Sequence, residues 1–391
     1  MNLTIVPSQL TGTVTPPPSK SQAHRLLIAA ALSGTEGVIH NLPDSQDIQA
    51  TRRCMSALRA SSDRQSLLDC GESGSTLRFL IPVALALRGG GVFTGRGRLM
   101  ERPLQPYFDI FDEKGIHYAW EDGTLVIKGL LEPGTYHLPG NVSSQFVTGL
   151  LYALPLAGGD SEIVLTTPLE SRGYVDMTLE ALALFGVRVV AEDGRFLVHG
   201  GRQCYQYQEV TVEADWSQAA FWFAARYLGS ELEISGLQEH STQGDAVIRQ
   251  YVKQMAQAAV MDIDVSDCPD LAPPLAVMAA LRPGTTRLVN AARLRIKESD
   301  RLSSITAALT ALGADVEEYP DSLTIHGKER LSGGTVDCCN DHRIAMMSAV
   351  AATRCEEPVT LIGAECVAKS YPDFWEHYRM LGGIIHEHPG E

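Results

Sequence analysis

Between Arg293 and Arg301 the chain places four cations, Arg293, Arg295, Lys297 and Arg301, in nine residues. A short apolar strand, Thr286 to Val289, leads into this stretch. A helical pattern follows it, with Leu302, Ile305, Leu309 and Leu312 spaced three, four and three apart. Ser299 or Asp300 can cap that helix. The cations thus crowd a strand-to-helix turn, where backbone N–H groups lack intrahelical partners. A helix N-terminus carries about half a positive charge, so local electrostatics opposes Lys and Arg there and calls for an outside anion. A ligand bearing phosphate or carboxylate answers that call. The plain alternative is a solvated loop in which Glu298 and Asp300 neutralise their neighbours.

The same crowding recurs. Lys20 follows Pro16, Pro17, Pro18 and Ser19, with Ser19 placed to cap a helix that carries Ser21 and Arg25 four apart on one face. Arg102 stands before Pro103, which can start a helix. Arg343 opens a helix behind Asn340, Asp341 and His342, and Lys369 stands ahead of Pro372 and Phe374. Five such cases argue for helix starts that serve a strongly anionic ligand set. Around them lie uncharged hydrogen-bonding stretches. Gly71 to Thr76 forms a glycine-bearing loop, with Gly74 before the apolar run from Leu77, and Ser143, Ser144 and Gln145 precede the run from Phe146. Asp270 follows Cys268 and Pro269. Neither a P-loop nor a dinucleotide fingerprint is present.

Elements to position these residues recur too. Three frames, Gly115 to Gly129, Gly186 to Gly200 and Gly313 to Gly327, share a spacing of fourteen. Each predicts a helix ending at a left-handed glycine, then a hairpin. Six strand–loop–helix pieces begin at Val38, Val92, Ile163, Leu232, Arg287 and Val359. An open solenoid and a pair of three-unit domains both fit that count. The 391 residues exceed one ordinary core. A net charge of −15 argues against nucleic acid or an anionic membrane as the main partner. No apolar run reaches membrane-span length and no signal-peptide pattern opens the chain, so a cytoplasmic protein is expected. The eight cysteines, including Cys204 and the adjacent Cys338 and Cys339, form no C-x-x-C pair and are expected reduced and mostly buried. No metal site is expected.

The segments around Lys20, Ser143, Lys297, Asp341 and Lys369, in that order, resemble the 5-enolpyruvylshikimate-3-phosphate synthases from about residue 5 to 380. The resemblance implies an α/β enolpyruvyl transferase fold: two domains of three βαβαββ units, hinged over a cleft. One domain would comprise 1–13 plus 214–391 and the other 14–213. It implies transfer of the enolpyruvyl group of phosphoenolpyruvate to the 5-hydroxyl of shikimate 3-phosphate, by a monomer without cofactor. Shikimate 3-phosphate would be held by Lys20, Ser21, Arg25, Ser143, Ser144, Gln145, Ser171 and Arg293, with Asp270 and Lys297 at its hydroxyls. Phosphoenolpyruvate would be held by Lys20, Gly74, Arg102, Gln145, Arg301, His342, Arg343 and Lys369. Asp270 would take the hydroxyl proton, and Glu298 or Lys20 would protonate the methylene carbon. Glu72, Phe79 and Arg293 depart from residues common in the family. The related UDP-N-acetylglucosamine transferases carry a reactive Cys in a loop corresponding to about 90–105, where this chain has none; a non-catalytic repeat scaffold is the reading from another class.

Overall fold

The computed structural model describes residues 1–34, 37–60, 66–201 and 205–388. The chain forms two compact units: an inserted unit, Pro18–Glu213, and a split unit made of Met1–Pro17 with Ala214–Glu391. The first crossing therefore falls at Pro17 and not after residue 13. Strand Thr11–Val14 belongs to the split unit, where it pairs in parallel with Glu231–Ile234.

The inserted unit carries helices α1 (Lys20–Leu32), α2 (Gln46–Ala60), α3 (Gly74–Arg88), α4 (Gln105–Lys114), α5 (Ser144–Ala153) and α6 (Arg172–Leu184). One four-stranded sheet runs in spatial order Leu67–Asp69, Gly90–Thr94, Thr124–Lys128, His117–Glu121. A second runs Thr135–Leu138, Ser161–Leu165, Arg195–Val198, Val189–Glu192. In each, a parallel pair is followed by an antiparallel hairpin. The third sheet is a parallel pair, Val38–His40 with Glu209–Thr211.

The split unit repeats the scheme with α7 (Trp216–Tyr227), α8 (Ile248–Met255), α9 (Ala272–Ala280), α10 (Arg301–Ala311), α11 (His342–Ala352) and α12 (Phe374–Met380). Its complete sheet runs Val260–Asp264, Thr285–Val289, Ser322–His326, Asp315–Tyr319. In its other four-stranded sheet the first strand of the chain, Asn2–Val6, lies between Val359–Ile362 and Ile384–His388. The two ends of the chain thus supply the hairpin pair that contiguous residues supply elsewhere.

The glycine frames work as the chemistry requires. Gly115, Gly186 and Gly313 hold φ of 67°, 82° and 90° behind their helices, a region open to glycine at little cost. At the far end of its hairpin, Gly327 packs so closely that a Cβ would overlap the Arg282 carbonyl oxygen. Every residue of α9 and α11 is buried. Helix α9 reads as a continuous apolar run, and α11 does so after His342 and Arg343 apart from Ser348.

Two helix starts differ from expectation. Helix α3 begins at Gly74, capped by the Ser73 hydroxyl on the Thr76 N–H. Helix α4 begins at Gln105 with Pro106, not Pro103, in its first turn. Arg102 therefore follows a 3-10 turn, Leu99–Glu101, and Lys369 closes another, Ala364–Lys369. Cations occupy true helix starts at Lys20, Arg301 and Arg343. Six described cysteines are buried and Cys339 is exposed; all seven are free. Cys204 lies outside the described residues. Among the described residues no helix is long and apolar enough to cross a membrane.

Candidate active site

In the split unit the cation-rich stretch folds as a short 3-10 turn, Ala292–Ile296, before α10. Asp300, not Ser299, caps α10 by accepting from the Ser303 N–H. The four cations do not act together. Arg295 donates to Asp300, Glu318 and the carbonyls of Tyr319 and Pro320, which locks the hairpin turn to the cap. Arg293 reaches the Ser266 carbonyl at 3.4 Å. Arg301, 1% exposed, is the centre of a carboxylate cluster. It donates to Asp270 at 2.9 Å, Glu298 at 2.7 Å and Asp341 at 3.0 Å.

Asp270 faces three cations. Arg301 takes one carboxylate oxygen; Arg343 takes the other at 2.9 Å and also donates to Ser217 at 3.0 Å; Lys297 lies 3.8 Å away. Burial by itself raises the Asp270 pKa, but Arg343, Lys297 and Arg301 overcome it and hold the carboxyl far below the usual range. Burial lowers Lys297 to about 8, with Asp270 pulling upward and Arg301 and Arg293 downward. Asp341 is wholly buried. It caps α11 on the Arg343 N–H at 3.0 Å and accepts from Ser299 at 3.0 Å. His342 is buried at the start of α11, and Lys369 donates to the Asn340 carbonyl at 2.6 Å.

The inserted unit assembles a second set from the starts of α1, α3, α5 and α6. Lys20 pairs with Asp47 at 3.0 Å, both nearly buried. Beneath them runs a hydroxyl chain: His24 to Thr51 at 2.7 Å, Thr51 to Thr76 at 2.7 Å and Thr76 to Ser73 at 2.7 Å. Burial, Lys20 and Arg25 hold His24 well below its ordinary pKa, so the ring is neutral. Arg25 is 2% exposed and donates to Thr178 and to the carbonyls of Ser21 and Tyr174. It thereby fixes the α1 start, and Ser21 with it, against α6. Ser143 caps α5 on the Gln145 N–H, Ser144 is buried beside it, and Ser171 stands at the α6 start with φ of 57°.

Gly74 marks the most confined point of this set. A Cβ there would come 2.5 Å from an Arg102 guanidinium nitrogen, and the Arg102 Nε is buried without a hydrogen-bond partner among the described residues. Sequence reasoning missed Arg78, one turn along α3 from Gly74. Arg78 donates to the Gln145 side-chain Oε1 at 2.8 Å and to the Pro103 backbone carbonyl at 3.1 Å, while the Gln145 side-chain Nε2 donates to Ser75 at 3.0 Å. It aims the Gln145 amide and anchors the turn carrying Arg102. Asp341 and Asp47 were also missed as partners, although their places near helix starts were visible.

A family model of EPSP synthase (3-phosphoshikimate 1-carboxyvinyltransferase) matches residues 5–378. The chain belongs to this family. Among relatives named 3-phosphoshikimate 1-carboxyvinyltransferase, that of Clostridium acetobutylicum is 47% identical, with 98% of each chain covered. That of Clostridium kluyveri is 46% identical, again covering 98% of each. Two solved structures of EPSP synthase from Acinetobacter baumannii superpose with TM-scores of 0.77 and 0.78 at 24% and 23% identity. They cover 99% and 100% of this chain and 100% of each of theirs, and so share its fold. Membership of the EPSP synthase family disfavours both the UDP-N-acetylglucosamine transferase and the non-catalytic scaffold.

Proposed function

We propose that the chain transfers the enolpyruvyl group of phosphoenolpyruvate to shikimate 3-phosphate in aromatic amino acid biosynthesis. The observation that carries this reading is Asp270 held ionised among Arg301, Arg343 and Lys297. Such a set suits polyanions that bring their own charge and a hydroxyl that must lose a proton. Mixing the two substrates should release inorganic phosphate in step with the enolpyruvyl ether, detected by mass. No phosphate from the pair would overturn the reading.

In the addition step the 5-hydroxyl oxygen bonds to C2 of phosphoenolpyruvate, its proton passes to Asp270, and the methylene carbon takes a proton from Glu298 or Lys20. In the elimination step the methyl carbon gives up a proton as the C2–O bond to phosphate breaks, which leaves the enolpyruvyl ether and phosphate. A carboxylate held as low as Asp270 is a weak base. If Arg343 and Arg301 turn to the phosphoenolpyruvate anion, Asp270 loses the donors that depress it and becomes basic once the second substrate binds. Lys369, His342, Lys20, Gly74, Arg102 and Gln145 complete the phosphoenolpyruvate set. Ser21, Ser143, Ser144, Ser171, Arg25 and Arg293 complete the shikimate phosphate set, with Lys297 at the hydroxyls. The reading includes a monomeric, cytoplasmic enzyme without metal or cofactor, and gel filtration beside the assay checks the first of these.

Two expectations follow from single groups. Lys297 titrates near 8, so its charge is present below that pH and lost above it. Affinity for shikimate 3-phosphate should fall as pH rises from 7 to 9, and Lys297→Met should bind weakly with that dependence gone. An unchanged alkaline dependence in the variant would reassign it. Separately, Gly74→Ala should fold normally, because the clash is with the far end of Arg102 and not with backbone. The displaced guanidinium should raise the KM for phosphoenolpyruvate about tenfold, equivalent to about 1.4 kcal/mol, and leave the KM for shikimate 3-phosphate near its parent value.

A further inference from the structure

The inserted unit holds a cavity of about 310 Å³ between α1 and α2, at the lower end of small-molecule sites. It is lined by later residues of α1 than those carrying Lys20, Ser21 and Arg25, none of which borders it. Its apolar walls include Leu27 and Ala31 from α1, Met55 from α2, and Ile39 from the strand Val38–His40. Arg52 and Arg59, seven residues apart and so on one face of α2, line the same cavity. Among the described residues neither is paired with a carboxylate, in a chain whose net charge is −15; Arg59 only reaches the Gly34 carbonyl at 3.3 Å. A last-turn cation that complements the helix dipole accounts for Arg59 alone. It does not account for Arg52, which is exposed in the middle of the helix and lines the same cavity.

We propose that this cavity is a second binding site, separate from the substrate-binding residues, for a small aryl carboxylate. The ring would lie against Leu27, Ala31, Ile39 and Met55, and the carboxylate would take bidentate hydrogen bonds from Arg52 and Arg59. Inorganic phosphate or a sugar phosphate lacks the apolar part these walls would cover, and an aryl cation would meet the two guanidinium groups.

The test is calorimetric titration of 3-phenylpropionate into the full chain, with and without saturating shikimate 3-phosphate. The expected result is saturable binding below about 10 mM that persists with the substrate present. Phenethylamine, with the same ring and the opposite charge, should give none. Arg52→Ala combined with Arg59→Ala changes two exposed side chains and should weaken binding about tenfold or more. Ala31→Met, which fills the cavity, should abolish it, and both variants should keep parental phosphate release. No saturable binding, displacement by shikimate 3-phosphate, or undiminished binding to the double arginine variant would overturn the proposal. The binding readouts need no turnover, so they fail or succeed independently of the proposed reaction.

Discussion

Arg301→Ala should destabilise the split unit by about 3–5 kcal/mol, the cost of stripping a buried charge cluster of its counter-ion. Total stabilities run only about 5–15 kcal/mol, so the urea midpoint of that unit should move far to the left. The cause is geometric: one guanidinium, 1% exposed, serves Asp270, Glu298 and Asp341 together. Without it, three carboxylates repel one another in a poorly solvated place. With Arg343 and Lys297 still beside it, Asp270 should titrate closer to its ordinary range than in the parent, where it is held far below it. The parent's ionised Asp270 contributes stability above about pH 4 that is lost on further acidification. The variant's deficit should therefore be largest near neutral pH and shrink as pH falls below about 4. Arg301→Lys restores the charge but has no planar fork to reach three partners, and should recover only part of the loss. A deficit that does not vary with pH would mean the cluster is not held as described.

The fold was legible wherever its determinants are local. Gly115, Gly186 and Gly313 each close a helix and open a hairpin within a fixed count of residues, so spacing alone predicts the element. The six short strands are local in the same way, and all six form. What spacing cannot carry is pairing across the chain. Nothing in Asn2–Val6 says that it will lie between Val359–Ile362 and Ile384–His388, because its partners are more than 350 residues away and the pairing depends on the whole unit being assembled. The start of α4 was misplaced for a different reason. Pro103 and Pro106 both satisfy the first-turn preference, and Arg78, from another helix, takes the Pro103 carbonyl as an acceptor.

The candidate site shows the same division. Cations near helix starts are visible because local electrostatics disfavours them there. Their partners are not visible, since any Asp near a helix start reads equally well as a cap. Asp341 is both: it caps α11 and holds Arg301. Arg295 and Lys297 stand two residues apart with the same charge, yet the turn at Pro320 captures the first and leaves the second beside Asp270. Arg78 sat unnoticed in an apolar helix because a lone cation there carries no spacing signal. Its meaning lies in Gln145, 67 residues on.

Asp270→Asn should lower kcat by about 10²–10⁴-fold, the range of a lost general base, while the Kd for shikimate 3-phosphate stays within about tenfold of the parent. Asn keeps the shape and one acceptor oxygen for Arg301 or Arg343 but cannot take the hydroxyl proton. Charge makes the variant diagnostic beyond its rate. Asp270 pulls the Lys297 pKa upward against burial and its cationic neighbours, so removing the carboxylate should move the Lys297 titration from about 8 toward neutrality. The alkaline fall in shikimate phosphate affinity should then begin at a lower pH than in the parent, which a purely structural defect would not produce. Turnover within about fivefold of the parent would remove Asp270 from the base role. A lowered kcat with an unmoved alkaline limb would mean that Asp270 and Lys297 do not share one electrostatic environment.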